Sequence, residues 1–250
     1  MKQNQTIRET PKGYSLSPGK KLPNEMLEKL EQINHTYSVH KHFPEYQNAI
    51  CQLFQLKSIH INEKARFFLA GFLEGEGSIN VGAKKNATSR FKVYVDPEFS
   101  VTQHVNGVSN LYLAMCYFQT GRIRYKSNSN ATLVYTIDNR QNLKEKVIPF
   151  YEKWIRPYGS LSKVKRTQTF KKLLQLFDEK AHLDFNRMMH EVLPLWNQLR
   201  IQVGQTNQAF ESLEEAQRYV KFHFESNSSF SFQNPILKEQ DSNSKGNSEK

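Results

Sequence analysis

Two glutamates, Glu74 and Glu76, alternate with glycines at the end of the segment Leu69–Gly77, Leu-Ala-Gly-Phe-Leu-Glu-Gly-Glu-Gly. The apolar residues before them predict a helix, so both carboxylates lie at its C-terminus. There the helix dipole disfavours an anion by about 0.3–1 kcal/mol. Residues that break a local rule often mark a function that compensates for it. A divalent cation held by carboxylate and carbonyl oxygens would do so, whereas the alternative is a helix end with two solvated glutamates.

The helix that carries this segment is apolar on almost every side from Phe67 to Leu73. A helix with no polar face is buried or packed between partners. Ala70 and Gly71 reduce its bulk, so a second helix could approach at the short end of the usual ~8–10 Å spacing. Gly75 and Gly77 are expected to allow left-handed backbone where the helix ends.

The elements that position this segment follow from hydrophobic periodicity and turn residues. Asn62 is a good N-cap for the motif helix, and Asp138 is predicted to cap a later helix that carries Leu143 to Trp154. Other helices are predicted over 24–34, 46–56, 111–118, 162–178, 182–200 and 212–224. Strands are predicted over 78–84, 91–95, 99–103, 122–126 and 131–137, with a break at Pro97. The order predicts an α+β fold in which one antiparallel sheet carries helices on one face.

The other face of the sheet is predicted to be basic. Alternation places Arg122, Arg124 and Lys126 on one side of their strand, and the chain has a formal net charge of +11. A two-stranded ribbon fits the DNA major groove, where Arg and Lys read guanine and Asn reads adenine. A solvated charged face is the alternative. The residues predicted to contact nucleic acid are Asn80, Lys84, Lys85, Arg90, Lys92, Arg122, Arg124 and Lys126.

Composition excludes several other classes of protein. No apolar run reaches the ~18 residues of a membrane span, and the N-terminus has no apolar signal region, so secretion is not predicted. Cys51 and Cys116 are too few for a disulfide framework, and they are predicted to be reduced thiols. The sequence predicts an N-terminal arm with helices over 1–60, a central domain over 61–225 and a disordered polar tail over 226–250.

The segment Leu69–Gly77 resembles the motif of the LAGLIDADG homing endonucleases, with Glu at both acidic positions where Asp is commoner. The similarity continues at Val101–Gln103, Gly121–Arg124 and Lys165–Gln168, and covers about residues 60–200. The segment Asp96–Gly107 is similar to intron-encoded endonucleases of green-algal chloroplast large ribosomal RNA genes. The resemblance implies an αββαββα fold with a saddle-shaped antiparallel sheet and helical extensions.

The resemblance also implies a mechanism. Glu76 and the carbonyl of Gly75 would bind Mg²⁺ or Mn²⁺, Gln103 would position water or metal, and Lys165 would stabilise negative charge. Lys163 or Arg166 is an alternative to Lys165, because the register is open there. The helix pair at the dimer axis would involve Ala70, Gly71, Leu73 and Glu74, with Glu74 as support.

One motif in a chain without repeats implies a homodimer on a pseudo-palindromic target. The expected reaction is metal-dependent cleavage of double-stranded DNA that leaves 3′ extensions, at an intronless large ribosomal RNA gene. The expected location is the chloroplast, with the mitochondrion as the alternative. A non-cleaving RNA maturase or DNA-binding regulator on the same fold is the second hypothesis.

Overall fold

The computed structural model describes residues 13–39, 41–201 and 209–232, and side chains up to residue 226. Its elements are α1 (Asn24–Thr36), α2 (Phe43–Leu53), α3 (Glu63–Glu76), β1 (Gly77–Lys85), β2 (Val93–His104), α4 (Val108–Phe118), β3 (Arg122–Tyr125) and β4 (Thr132–Ile137). Then follow α5 (140–155), α6 (Leu161–Asp178), α7 (185–201) and α8 (Leu213–Phe232). Two segments of α5, Leu143–Val147 and Tyr151–Ile155, have π-helical hydrogen bonding. The predicted order from the motif helix onward, αββαββα, is confirmed.

The four strands form one sheet in the order β1-β2-β4-β3. β4 is antiparallel to both of its neighbours, with Val101 opposite Tyr135 and Tyr135 opposite Ile123. These three residues are fully buried, and successive residues of a strand point to opposite faces. One face therefore carries the apolar core, and the other, hereafter the open face, carries polar and charged side chains.

Aromatic rings fill the core beneath the sheet. Phe99 lies at its centre and makes edge-to-face contacts with Phe118, Tyr135 and Tyr151, with ring centroids 5.6, 6.4 and 6.0 Å away. Such pairs stabilise a core by about 0.5–1.5 kcal/mol beyond the area they bury. This cluster joins β2 and β4 to α4 and α5, and so fixes the sheet against its helices.

Two local predictions were wrong. β2 is continuous through Pro97, where a break was expected. The pairing of β2 with β4 begins only at Phe99, so a residue without an N–H is tolerated before that point. The helix after β4 is capped by Asn139 and not by Asp138, because the Asn139 side chain accepts a hydrogen bond from the N–H of Asn142. The predicted cap at Asn62 is confirmed, since its side chain accepts from the N–H of Ala65.

The N-terminal helices protect the edge of the sheet. The N–H of Ile123, on edge strand β3, donates to the hydroxyl of Tyr46 at 2.8 Å. The carbonyl of Ile123 accepts from Nδ2 of Asn34 at 2.9 Å. An unpaired edge strand is a template for aggregation. Helices α1 and α2 therefore supply the hydrogen bonds that a fifth strand would otherwise make.

The chain divides into two compact units. The first contains residues 1–82 and 96–175, and the second contains residues 83–95 and 176–250. In the second unit Phe185 stacks on Phe224, with ring centroids 4.1 Å apart, and Phe91 packs edge-on against Phe185. This unit thus has its own aromatic cluster, in which Phe91 is buried and Phe224 remains exposed.

The C-terminal helix is longer than predicted. α8 continues to Phe232, past Ser226, where the disordered tail was expected to begin. The hydroxyl of Ser226 donates to the carbonyl of Phe222 inside the helix. Extending an existing helix requires far less ordering per hydrogen bond than starting one. The rest of the expected tail, residues 233–250, and residues 1–12 of the arm lie outside the described residues.

None of the described helices combines the length and the apolar character needed to span a membrane. Cys51 is half-buried and Cys116 is buried, and both are free thiols.

Candidate active site and nucleic-acid interface

The backbone is closely packed at Gly77, directly after the end of α3. Gly77 follows the helix with φ −71° and ψ 132°, and its N–H donates to the carbonyl of Leu73. A Cβ at Gly77 would lie 2.5 Å from that carbonyl oxygen and 2.7 Å from the hydroxyl of Tyr151. The left-handed backbone expected at Gly75 and Gly77 is therefore wrong, because Gly75 is helical and Gly77 is extended. Glycine is required at 77 by the close approach of both the Leu73 carbonyl and the Tyr151 hydroxyl.

Glu74 is held inside the chain. Its Oε1 accepts a hydrogen bond from the backbone N–H of Ser160 at 2.9 Å. Its Oε2 is buried beside Gly159. Burial raises the pKa of Tyr151 well above its usual value, and the negative charge of Glu74 raises it further. Glu74 therefore joins α3 to the start of α6 and has little freedom to bind an external ligand.

Glu76, by contrast, is exposed. Within the described part of the chain its carboxylate makes no hydrogen bond or ion pair. Gly75 is exposed too, and a Cβ added there would meet nothing within 4 Å. No group of three or more His, Cys, Asp or Glu in the described residues is arranged to hold a metal ion. One chain thus offers an exposed carboxylate at a helix end, and the role of Glu76 as a metal ligand stays a prediction.

Lys163 caps the end of α3. Its Nζ donates to the carbonyls of Glu74 and Gly77 at 2.6 and 2.7 Å, and to that of Leu73 at 3.3 Å. Burial lowers the pKa of Lys163, while the charges of Glu74 and Glu76 raise it and that of Arg166 lowers it. A cation at a helix C-terminus is favourable. Lys163 therefore supplies part of the positive charge that the sequence assigned to a metal ion.

The three candidate basic residues have different surroundings. Arg166 is buried, and its Nε donates to the carbonyl of Ile79 at 2.6 Å. Burial lowers the pKa of Arg166 to about 10. Lys165 is exposed, and its side chain makes no hydrogen bond or ion pair to any described residue. Contact with the motif favours Lys163 over Lys165, the first choice from sequence. The catalytic role of any of them stays a prediction.

Gln103 lies near the end of β2, opposite Leu133 of β4. It is half-buried. A Cβ added at Gly107 would lie only 2.7 Å from the Oε1 of Gln103. The hydrogen bonds of the described residues do not join Gln103 to Glu76 or to Lys163. A direct contact between these groups is therefore not present in the single chain, and the role of Gln103 stays a prediction.

The outer face of α3 differs from the face expected at a dimer axis. Leu73 is fully buried and Ala70 is 6% exposed within the chain's own core. Their burial leaves them little surface for contact with a second helix, and their place in an interface stays a prediction. Gly71, in contrast, is exposed, and a Cβ there would meet nothing within 4 Å. Phe68, Gly71 and Gly75 are exposed and Phe72 is half-buried; these four residues, at helical spacing, form the uncovered stripe of α3.

The open face carries part of the predicted basic set. Arg124 is exposed, and its Nη1 donates to Oγ1 of Thr136 at 3.3 Å. Arg122 is half-buried, and its Nη1 donates to the carbonyl of Asn34 at 2.6 Å, so it also ties β3 to α1. Asn80 bonds to Oγ of Ser100 across β1 and β2 at 3.2 Å. Lys126 is exposed in the turn after β3. Arg122 and Arg124 thus lie on the face opposite the buried Ile123, as predicted, and Arg122 also has a structural role.

The basic residues at the tip of the first hairpin belong to the second unit. Lys84 and Arg90 are exposed. Nζ of Lys85 lies 5.5 and 5.2 Å from the ring centroids of Phe210 and Tyr219. Lys85 is thus partly engaged in cation–π contacts with its own chain, which the sequence could not reveal. Lys92 has φ +58° and donates to the carbonyl of Ala87 at 2.6 Å, so it stabilises the turn.

Several polar residues of the open face were not predicted. They share the even-numbered positions of β2 and β4, which alternation alone could have found. Positive charge was the main signal for binding, and neutral hydroxyls carry none. Carboxylates carry the opposite charge, although they too can read bases. The residues missed are Glu98, Ser100, Thr102, Thr132 and Thr136.

Known proteins share the motif and the fold described above. A family model described as LAGLIDADG endonuclease matches residues 69–179. The DNA endonuclease I-CeuI of Chlamydomonas moewusii is 52% identical over 208 residues, which cover 83% of this chain and 95% of that relative. A structure of the group I intron-encoded homing endonuclease I-CeuI complexed with DNA matches with a TM-score of 0.79 at 52% identity, over 82% of this chain and 100% of that one.

A more distant structure shares the fold alone. The archaeal intron-encoded homing endonuclease I-Vdi141I, complexed with DNA, matches at 23% identity with a TM-score of 0.58, over 65% of this chain and 98% of that one. The sheet, its helix layer and the motif helix thus define a LAGLIDADG fold. The chain belongs to the LAGLIDADG family of homing endonucleases, as its sequence predicted.

Proposed function

We propose that this chain is a site-specific endonuclease of double-stranded DNA that acts as a homodimer. The observation that carries the proposal is the contrast between two neighbouring glutamates. Glu74 is locked to Ser160, whereas the carboxylate of Glu76 is exposed beside the uncovered stripe of α3. Both similar structures named above were determined with DNA. A free acid next to an uncovered helix face suits a site that two copies complete.

The stripe also supports the homodimer. Phe68 and Phe72 stack with ring planes 3° apart, and Phe68 is 55% exposed. Gly71 and Gly75 leave room between the turns for a second helix. Exposed apolar surface of this kind marks an interaction site. A two-fold pair of α3 helices would bring two copies of Glu76 together, and a two-fold dimer implies a pseudo-palindromic target.

The reaction proposed is hydrolysis of one phosphodiester in each strand. When bound, Mg²⁺ or Mn²⁺ would supply Lewis-acid activation of water and relief of negative charge on the leaving oxygen. Glu76 and the carbonyl of Gly75 would hold the cation. Gln103 would orient the water, and Lys163 would keep the end of α3 in place. Cleavage across the minor groove would leave 3′ extensions.

The open face is proposed to read the target in the major groove. Arg124 offers guanidinium donors suited to guanine, and Asn80 offers an amide suited to adenine. Lys84, Arg90 and Lys126 would bind phosphates. An intronless large ribosomal RNA gene is the proposed target and the chloroplast the proposed location, with the mitochondrion as the alternative. The similarity to I-CeuI of Chlamydomonas moewusii supports the choice of location.

A cleavage assay with matched protein variants tests the proposal. Linearised plasmid carrying the intronless gene is incubated with Mg²⁺ and either the parent protein or Glu76→Gln, and end mapping reports the overhang. Cleavage by the parent and none by the variant is expected. Specific binding without cuts by either protein would favour the alternative, a maturase or regulator on the same fold. Equal cleavage by both would remove Glu76 from the metal site.

A further inference from the structure

The segment before α1 is fastened to the rest of the chain. The N–H of Leu16 donates to Oδ1 of Asn106 at 2.7 Å, and Nδ2 of Asn106 donates to the carbonyl of Leu16 at 2.9 Å. Further along, the N–H of Leu22 donates to the carbonyl of Asn130 at 2.8 Å. Leu22 itself is 3% exposed. Residues 16–22, hereafter the pinned arm, are thus held at both ends.

The pinned arm crosses one end of the sheet. Asn106 follows the last residue of β2, and Asn130 lies in the turn between β3 and β4. These two points are neighbours, because His104 pairs with Thr132 and the N–H of Val105 donates to the carbonyl of Ala131 at 2.8 Å. The arm therefore lies at this end of the sheet, beside the β3–β4 turn.

A tight turn shapes the middle of the arm. Pro18 and Gly19 occupy its central positions, Gly19 has φ +75°, and the N–H of Lys20 donates to the carbonyl of Ser17 at 3.2 Å. Proline followed by a residue with positive φ is the signature of a type II turn. A side chain at residue 19 would be strained in this backbone. Pro18 and Gly19 thus determine the direction in which the chain leaves the turn.

Two lysines follow the turn, Lys20 and Lys21. Both are exposed, and neither side chain has an ion pair or hydrogen bond with any described residue. Elsewhere on the first unit, by contrast, Lys29 pairs with Glu25 and Lys171 pairs with Glu152. The arm therefore presents uncompensated positive charge at the end of the sheet, where Lys126 is also exposed.

We propose that the pinned arm is a further DNA-binding element, in which Lys20 and Lys21 bind phosphates of the duplex that lies over the open face. The inference rests on the function proposed above. The positive charge of the arm complements phosphate, and the arm lies beside the β3–β4 turn, at the end of the sheet where Lys126 is also exposed. Its hydrogen bonds hold it in place before DNA arrives, so little conformational entropy is lost on binding. Phosphate contacts position a protein on DNA without reading sequence.

The salt dependence of binding tests the arm. Dissociation constants are measured for the full-length parent and for Lys20→Gln/Lys21→Gln on the duplex that the parent cleaves, without metal and over a range of salt concentrations. Each neutralised phosphate adds about 0.9 to the slope of log K against log salt. We expect a slope shallower by roughly 0.9 for each phosphate that the variant no longer binds, and weaker binding to specific and random duplexes alike. The matched control, Lys171→Gln/Lys172→Gln, removes the same charge from α6 and is expected to keep the parent slope.

A hydroxyl-radical footprint locates the phosphates that the arm binds. The arm variant is expected to lose protection at two symmetry-related backbone positions, while base discrimination is unchanged. Asn106→Ala, which keeps both lysines but releases the arm, is expected to weaken the same protections. A slope and footprint equal to those of the control would overturn the inference. A parent protein with no specific binding to any duplex would instead overturn the proposed function.

Discussion

The ammonium of Lys163 lies 2.6 Å from the carbonyl oxygen of Glu74 and 2.7 Å from that of Gly77, on either side of the exposed Glu76. The carbonyl of Glu74 belongs to the last turn of α3, which has no further helical N–H groups to satisfy it, and Gly77 directly follows the helix. The position of Glu76 is therefore set by a residue 87 positions later in the sequence, at the start of α6. Lys163 is a positioning residue whose own donors are occupied by backbone.

Lys163→Met should damage metal use more than DNA binding. The change leaves the carbonyls of Glu74 and Gly77 without their donor, at a cost of about 1–3 kcal/mol for each buried acceptor. The end of α3 would then hold Glu76 less firmly. We expect a lower Tm and a higher Mg²⁺ concentration for half-maximal cleavage, measured by titration on linear target, with unchanged DNA affinity in EDTA.

Lys165→Met is the matched control, since it removes the same charge from an exposed residue about half a helical turn after Lys163. It should leave Tm and Mg²⁺ dependence close to those of the parent. Loss of cleavage in Lys165→Met together with a normal Lys163→Met would restore the first sequence-based choice and refute the positioning role.

The sequence alone could not decide between Lys163 and Lys165. The motif, the cap at Asn62 and both hairpins were predictable, because they depend on short-range periodicity and turn chemistry. The choice of lysine depends on how α6 docks against α3, which no local pattern records. Gly77 was recognised, yet for the wrong reason, because the nearby hydroxyl of Tyr151 is 74 residues away in sequence.

The same limit applies to the surfaces. An apolar helix such as α3 could not be divided by sequence into a core face and an outer face, so the burial of Ala70 and Leu73 within the chain was not foreseen. Lys85 was assigned to the DNA surface from its charge. Its contacts with Phe210 and Tyr219 could not be foreseen, because they join segments that are distant in sequence. Composition identified the basic character of the chain, but packing decides which cations remain available.

Gly71→Leu should separate dimerisation from folding. A Cβ at Gly71 meets nothing within 4 Å in the single chain, and leucine has a higher helix propensity than glycine by roughly 1 kcal/mol. The bulky side chain would nevertheless block a close approach of two α3 helices. We expect a folded monomer with normal circular dichroism, a dimer dissociation constant raised at least tenfold by sedimentation, and little cleavage.

Ala70→Leu provides the contrast, because Ala70 is buried in the chain's own core. Overpacking of this kind destabilises by about 1–3 kcal/mol, so this variant should lose Tm. A dimer of Gly71→Leu as tight as the parent's would show that the outer stripe of α3 is not the interface.

Tyr46→Phe should weaken the edge of the sheet. Burial raises the pKa of Tyr46 to about 12, so its hydroxyl is neutral throughout the physiological range. It accepts from the N–H of Ile123 and donates to Oδ1 of Asn34 at 3.2 Å. Without it the N–H of Ile123 is buried and unpaired, which costs about 1–3 kcal/mol. Urea unfolding should report that loss, and amide exchange at Ile123 should accelerate.

Tyr37→Phe removes a hydroxyl near the end of α1 that has no hydrogen-bond partner among the described residues. Its free energy of unfolding should match that of the parent within about 0.5 kcal/mol. Equal effects of the two substitutions would mean that the Tyr46 hydroxyl does not protect β3.

Glu98→Gln should stabilise the protein in a pH-dependent way. Glu98 lies on the open face of β2; burial raises its pKa above 4.5, and the charges of Asp96 and Asp138 raise it further. The folded state thus favours the protonated carboxyl more than the unfolded state does. The stability contributed by this proton is complete below the unfolded pKa and is lost as the pH rises through the raised pKa. The parent therefore carries a destabilising charge at neutral pH that the neutral amide lacks.

We expect the Tm of Glu98→Gln to exceed that of the parent at pH 7–8, with the difference falling towards zero as the pH drops below about 4. The control Glu28→Gln, at an exposed position of α1, should show no such pH-dependent gain. The variant also removes a negative charge from the proposed DNA surface, so nonspecific DNA binding at low salt should tighten while preference for the target weakens. A constant Tm difference at all pH values would mean that the amide stabilises by packing alone, and that the carboxylate of Glu98 is not under electrostatic stress.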